Sequence, residues 1–114
     1  MKAELIKKEG NVVNFKLTID NDKFEAAINK AYNKNKGRFN IAGFRKGKAP
    51  RRIIENNYGK GEFYEEAIDI VFPEVYPSAL DELQLAPIDR PSIDVEEISK
   101  DNGLVLVVEV EVQP

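Results

Sequence analysis

Two residue types on which much protein chemistry depends are missing from this chain, which has neither cysteine nor histidine. Without cysteine there is no disulfide, no zinc-thiolate centre and no thiol nucleophile, a composition that suits a reducing cytoplasm. Without histidine the usual general base near neutral pH and the commonest zinc ligand are gone, which removes Ser-His-Asp, Cys-His and histidine-metal catalysis together. Few enzyme classes survive, and no catalytic role or cofactor is expected. Long apolar runs are absent as well: the N-terminus has no signal-peptide core, and no stretch approaches the ~18 apolar residues of a membrane span. The expectation is a soluble, cytoplasmic protein with no membrane partner. Its 114 residues, 42% of them hydrophobic, suit one compact domain over residues 1–114; two domains would be starved of apolar surface.

Negative charge is absent from a long internal stretch. Between Ala26 and Ile54 there is no Asp or Glu, but there are Lys30, Lys34, Lys36, Arg38, Arg45, Lys46, Lys48, Arg51 and Arg52. Nine of the 17 basic residues lie there, leaving eight to offset all 20 acidic ones elsewhere, so a net charge of only −3 conceals a strong separation of charge. Such a patch attracts polyanions, whereas the acidic remainder discourages indiscriminate adhesion to nucleic acid. A charge run can also be a solvated face, and charge alone does not choose between the two.

Inside the patch lies Gly43-Phe44-Arg45-Lys46-Gly47-Lys48-Ala49-Pro50. Glycines 43 and 47 allow torsions closed to residues with a β-carbon, and Pro50 fixes its own φ while biasing Ala49 towards an extended shape. The loop can hold a tight, specific bend. Phe44 has no amphipathic helix or strand to bury it, and a phenyl ring beside Arg45 and Lys46 could anchor a partner surface. An ordinary solvated turn with Phe44 folded back into the core fits the same spacing. A phosphate-binding P-loop does not: that motif needs four residues between its glycines, and here there are three, with Ala49 in place of the magnesium-binding hydroxyl.

Strand patterns enclose this region. Val13, Phe15, Leu17 and Ile19 alternate with Asn14, Lys16 and Thr18, and with Ala3–Lys7 and the turn Glu9-Gly10-Asn11 they predict an antiparallel hairpin. Residues 92–98 and 104–112 flank Asp101-Asn102-Gly103, a second hairpin signal, with Glu109 and Glu111 alternating against Val108, Val110 and Val112. Between the hairpins, Asp22 and Glu25 fit a capping box, and Phe24, Ala27, Ile28, Ala31 and Tyr32 follow as a helical core stripe. Pro50 and Gly59 bracket a short helix over Arg51–Tyr58. A longer helical pattern runs from Glu62 to Leu83, with Phe63, Ala67, Ile70 and Val71 on one stripe and Phe72, Tyr76, Ala79, Leu80 and Leu83 on the next. Pro73 predicts a kink or restart near Phe72. Glu62, Glu65, Glu66 and Asp69 could in principle bind a hard cation, but acids near a helix N-terminus favour the dipole and are read as a solvated face; no metal is expected.

The octapeptide gives the chain a family resemblance. Its Gly-Phe-Arg-x-Gly frame and closing proline, followed by Ile53, Ile54, Tyr58 and Gly59, resemble the N-terminal ribosome-binding domain of the trigger factor family over nearly the full length. That resemblance implies an α+β fold, with an antiparallel sheet from the terminal strands packed on central helices and the basic loop projecting at one end. It also implies a partner: the large ribosomal subunit, met through a protein beside the polypeptide exit tunnel and neighbouring ribosomal RNA, with nascent polypeptides as the chaperone's substrates. Gly43, Phe44, Arg45, Lys46, Gly47 and Lys48 are then the ribosome-binding residues. Complete family members continue into a peptidyl-prolyl isomerase domain and a helical chaperone domain, for which 114 residues leave no room, so no isomerase activity is expected of this polypeptide. Exposed strand edges or apolar patches could pair two copies into a homodimer. The competing reading is a sequence-independent RNA-binding module that uses the basic patch alone.

Overall fold

Alternating apolar residues at both ends of the chain meet in one sheet. The computed structural model describes residues 1–114 and contains β1 (Lys2–Glu9), β2 (Val12–Ile19), α1 (Asn21–Asn35), a single 3-10 turn at Lys36–Arg38, α2 (Arg51–Tyr58), α3 (Tyr64–Leu83), β3 (Ser92–Ser99) and β4 (Gly103–Glu111). The strand order is β1-β2-β4-β3 with every neighbouring pair antiparallel. Each hairpin is local in sequence, and the pairing of β2 with β4 joins them into the expected α+β architecture.

Register decides which face is dry. Val13, Phe15, Leu17 and Ile19 stand opposite Val110, Val108, Leu106 and Leu104, and cross-strand partners share a face, so all eight point the same way. All are buried. Helix α1 packs along α3 over this face, with Phe24, Ala27, Ile28 and Ala31 of α1 and Ala67, Val71, Phe72, Val75 and Ala79 of α3 in one continuous core with the strands. Phe15 stacks on Tyr76 of α3 at 6.5 Å, and Tyr76 stacks on Phe72 at 4.8 Å. Burial raises the Tyr76 hydroxyl pKa, and that hydroxyl has no hydrogen-bond partner. On the other face, Glu109 and Glu111 are exposed at the end of β4, as their alternation with valine predicts.

Two local expectations are corrected. The Asp22–Glu25 capping box does not form: Asp20 takes the cap position without a side-chain cap bond. Glu25 instead accepts from the Arg51 guanidinium at 2.9 and 3.4 Å, so a partner in α2 outcompetes the helix's own end. Nor does the third helix restart at Phe72. It runs through Pro73 and Pro77 as one element, starting at Tyr64 and not Glu62. The two prolines are four residues apart and both exposed, as is Asp69, one turn before Pro73. The carbonyls deprived of an intrahelical donor therefore belong to the solvent side, where water can satisfy them, while Phe72 and Val75 keep the other side packed.

The C-terminal end of α1 is tied to the start of α3 by polar contacts. Asn35 is buried; its amide donates to the Ala31 carbonyl at 2.8 Å and to the Glu66 carboxylate, which also meets Lys34 Nζ at 3.0 Å. The Lys34 contact lowers the Glu66 pKa, burial opposes it more weakly, and the Asn35 amide adds to the lowering. A carboxyl depressed in the folded state adds stability that is present above its unfolded pKa and lost as pH falls through the folded value. Glu66→Gln should therefore flatten the decline in stability below about pH 4.5, the ordinary carboxylate region. Urea melts of both proteins over that range check this, and parallel declines would remove Glu66 from the acid response.

Candidate docking loop

The exposed segment between the 3-10 turn and α2 is built as two successive tight turns. The Phe44 amide donates to the Ile41 carbonyl at 3.1 Å, and the Lys48 amide donates to the Arg45 carbonyl at 2.9 Å. Gly43 and Gly47 are the third residues of these turns, with φ of +90° and +80°. Positive φ at that position belongs to type II turns, and it strains any residue that carries a β-carbon. The two glycines thus set the path of the loop and lift Phe44, Arg45 and Lys46 to its tip.

Both ends of the loop are held by a single aromatic cluster. On the incoming side Phe39 and Ile41 are buried, and the Phe39 ring meets Tyr58 at 5.1 Å and Phe63 at 5.7 Å, both edge to face. On the outgoing side Ala49 is buried, and its carbonyl accepts from the Tyr32 hydroxyl at 2.6 Å. The Tyr32 ring in turn lies edge-on to Phe63 at 5.9 Å. Pro50 then caps α2 with φ −62° and ψ 153°, just before the first helical residue expected of it. Arg51 completes the frame: it bonds Glu25 and Asn29 of α1, each at 2.9 Å, and Glu55 of α2 at 3.1 Å. The Glu25 bond leads in raising the Arg51 pKa, so the guanidinium that locks α2 to α1 stays charged.

The six predicted site residues are contiguous and fall together on this loop. Gly43, Phe44, Arg45, Lys46 and Lys48 are exposed and Gly47 is half-buried. Phe44 is 39% exposed and stands outside the core, so it has not folded back as an ordinary turn residue would. None of Arg45, Lys46 and Lys48 forms an ion pair. Of the four carboxylates weighed as a cation site, Glu66 is occupied by Lys34 and Asn35. Sequence reasoning missed the base of the loop: Phe39, Ile41, Phe63 and the hydroxyl of Tyr32. The alternation of Phe39 and Ile41 just before the glycines was the available signal for the first two.

These features define an α+β domain that presents a constrained cationic loop with an aromatic tip. A family model described as bacterial trigger factor protein matches residues 1–114. Trigger factor of Clostridioides difficile (strain 630) is 68% identical over all 114 residues, and that of Alkaliphilus oremlandii (strain OhILAs) 55% identical. In both cases the match covers the whole of this chain and 27% of the relative's length. A solved structure from work on promiscuous substrate recognition in the folding and assembly activities of the trigger factor chaperone superposes with a TM-score of 0.76 at 26% identity, covering all of this chain and 27% of its own. A structure from a study of the domains of Thermotoga maritima trigger factor agrees in fold, with a TM-score of 0.60 at 22% identity over 87% of this chain and 90% of that one. The chain belongs to the bacterial trigger factor family.

Proposed function

We propose that this chain is the ribosome-docking domain of a nascent-chain chaperone, and that it holds the chaperone on the large subunit beside the polypeptide exit tunnel during synthesis. The observation that carries this reading is Phe44, an exposed ring followed directly by two cations that have no ion pair, on a loop whose two ends are fixed in the core. A loop already held in one shape loses little conformational freedom on binding, so more of the contact energy appears as affinity. Phe44 fills an apolar recess of a ribosomal protein; Arg45 and Lys46 pair with acidic side chains or RNA phosphates around it. Family membership supports the chaperone role, and nascent polypeptides are the substrates in this reading. The chain contributes docking and no catalysis, and it works in the cytoplasm.

The alternative, a sequence-independent RNA-binding module, differs in what it asks of Phe44. If the ring anchors a protein recess, Phe44→Ala should weaken binding to large subunits by about 2 kcal/mol with little change in salt dependence, because a neutral side chain releases no counterions. Titration of wild type and variant against intact large subunits across a salt series tests this, with protein-free ribosomal RNA in parallel. Equal affinity for both ligands and indifference to Phe44→Ala would establish the RNA-binding module instead.

A further inference from the structure

The nine cations between Ala26 and Ile54 separate into two groups once their partners are known. Lys30 pairs with Glu74, Lys34 with Glu66, and Arg51 with Glu25 and Glu55. Lys36, Arg38, Arg45, Lys46, Lys48 and Arg52 have no ion pair. Three of these free cations lie outside the loop: Arg52 in α2, and Lys36 and Arg38 in the 3-10 turn that ends α1.

That turn and the loop are physically joined. A methyl group at Gly47 would stand 3.5 Å from the Cα of Gly37, so the second turn of the loop rests against the residue between the two cations. Lys36 Nζ lies 5.9 Å from the centre of the Tyr32 ring, and the hydroxyl of the same tyrosine holds the Ala49 carbonyl. The ring steadies the ammonium by a cation–π contact while leaving its donors free. We propose that Lys36 and Arg38 form a second contact of the docking surface, one that takes the phosphates of RNA. The inference rests on the docking reading given above.

Phosphate is the partner chemistry because the turn reads Lys-Gly-Arg and offers no apolar side chain. A protein recess needs an anchor such as Phe44, whereas two cations around a glycine suit a backbone whose charge repeats along its length. Arg38 adds a planar fork that a phosphate accepts in two hydrogen bonds. Cations in the last turn of a helix also complement its dipole, and a purely structural role would be of that kind. The two roles separate by experiment, since the dipole contributes to stability and phosphate contacts contribute to salt dependence.

The test compares wild type, the double variant Lys36→Gln/Arg38→Gln and Phe44→Ala, each checked for folding by circular dichroism and urea melts. Binding to intact large ribosomal subunits and to protein-free large-subunit RNA is titrated over a salt series. Loss of two phosphate contacts should make the slope of log affinity against log salt shallower by about 1.5 to 2 for both ligands, while Phe44→Ala leaves the slope unchanged. An unchanged slope in the double variant overturns the inference even if it lowers stability, and Phe44→Ala still losing subunit affinity leaves the docking reading standing. A shallower slope for subunits with none for protein-free RNA also overturns it, in favour of acidic protein side chains. If neither variant changes subunit binding, the docking reading itself fails and this inference with it.

Discussion

Replacement of Phe44, Arg45 and Lys46 together by alanine is expected to abolish binding to ribosomes and to leave the fold intact. The three side chains are exposed, stand outside the core and form no ion pairs, so their loss removes nothing that holds the domain together. Surface changes of this kind usually stay within about 0.5 kcal/mol of wild type. The loop's shape depends on other parts: Gly43 and Gly47 in the turns, Phe39 and Ile41 at one end, Ala49 held by Tyr32 at the other. On the partner side the same change deletes an aromatic anchor and two charged donors at once. Hot spots of this composition carry most of the energy of an interface, so little affinity should survive. Co-sedimentation with ribosomes measures the loss, and circular dichroism checks the fold. Equal binding by the two proteins would take the docking role away from the tip.

Ile28→Ala is expected to do the reverse, destabilising the domain by about 2–5 kcal/mol without selectively removing docking. Ile28 is 2% exposed on the buried face of α1, in the stripe with Phe24, Ala27 and Ala31. Its removal leaves a cavity that the surrounding side chains can only partly fill, since protein interiors pack like crystals. The α1–α3 layer above the sheet would loosen, and every site that it positions would weaken in step with the fraction unfolded. Denaturant melts read the effect. A loss below about 0.5 kcal/mol, the range of a surface change, would mean that this side of α1 is not core. Ribosome binding measured where the variant is still folded should match wild type.

Much of this was legible from residues close together in the chain. Both hairpins follow from alternation and a glycine-containing turn, and Pro50 with Gly59 bounds α2 at the residues observed, Arg51–Tyr58. The absence of carboxylates from 26–54 and the octapeptide at 43–50 located the candidate site before any fold was known. Each of these signals acts over a few residues: a turn torsion, a side-chain period, a local excess of one charge. What lay beyond reach depended on partners brought together by folding. Glu25 sat at capping-box spacing, yet an arginine 26 residues away claims it. Pro73 was a sound reason to expect a kink or restart, and only the packing of α3, which continues as one helix, turned that residue and its unpaired carbonyl towards water.

The sequence by itself determined the kind of surface this protein offers: no thiol or imidazole chemistry, one cationic stretch, and a glycine-framed aromatic tip within it. The tertiary structure decided how that surface is divided and held. It joined the hairpins through β2 and β4, closed the loop on Phe39, Phe63 and Tyr32, and gave three of the nine cations to internal carboxylates while leaving six free. The physical reason is the range of the interactions. Backbone torsion and side-chain period are properties of neighbours along the chain, whereas an ion pair or an aromatic contact belongs to whichever residues the folded core places side by side.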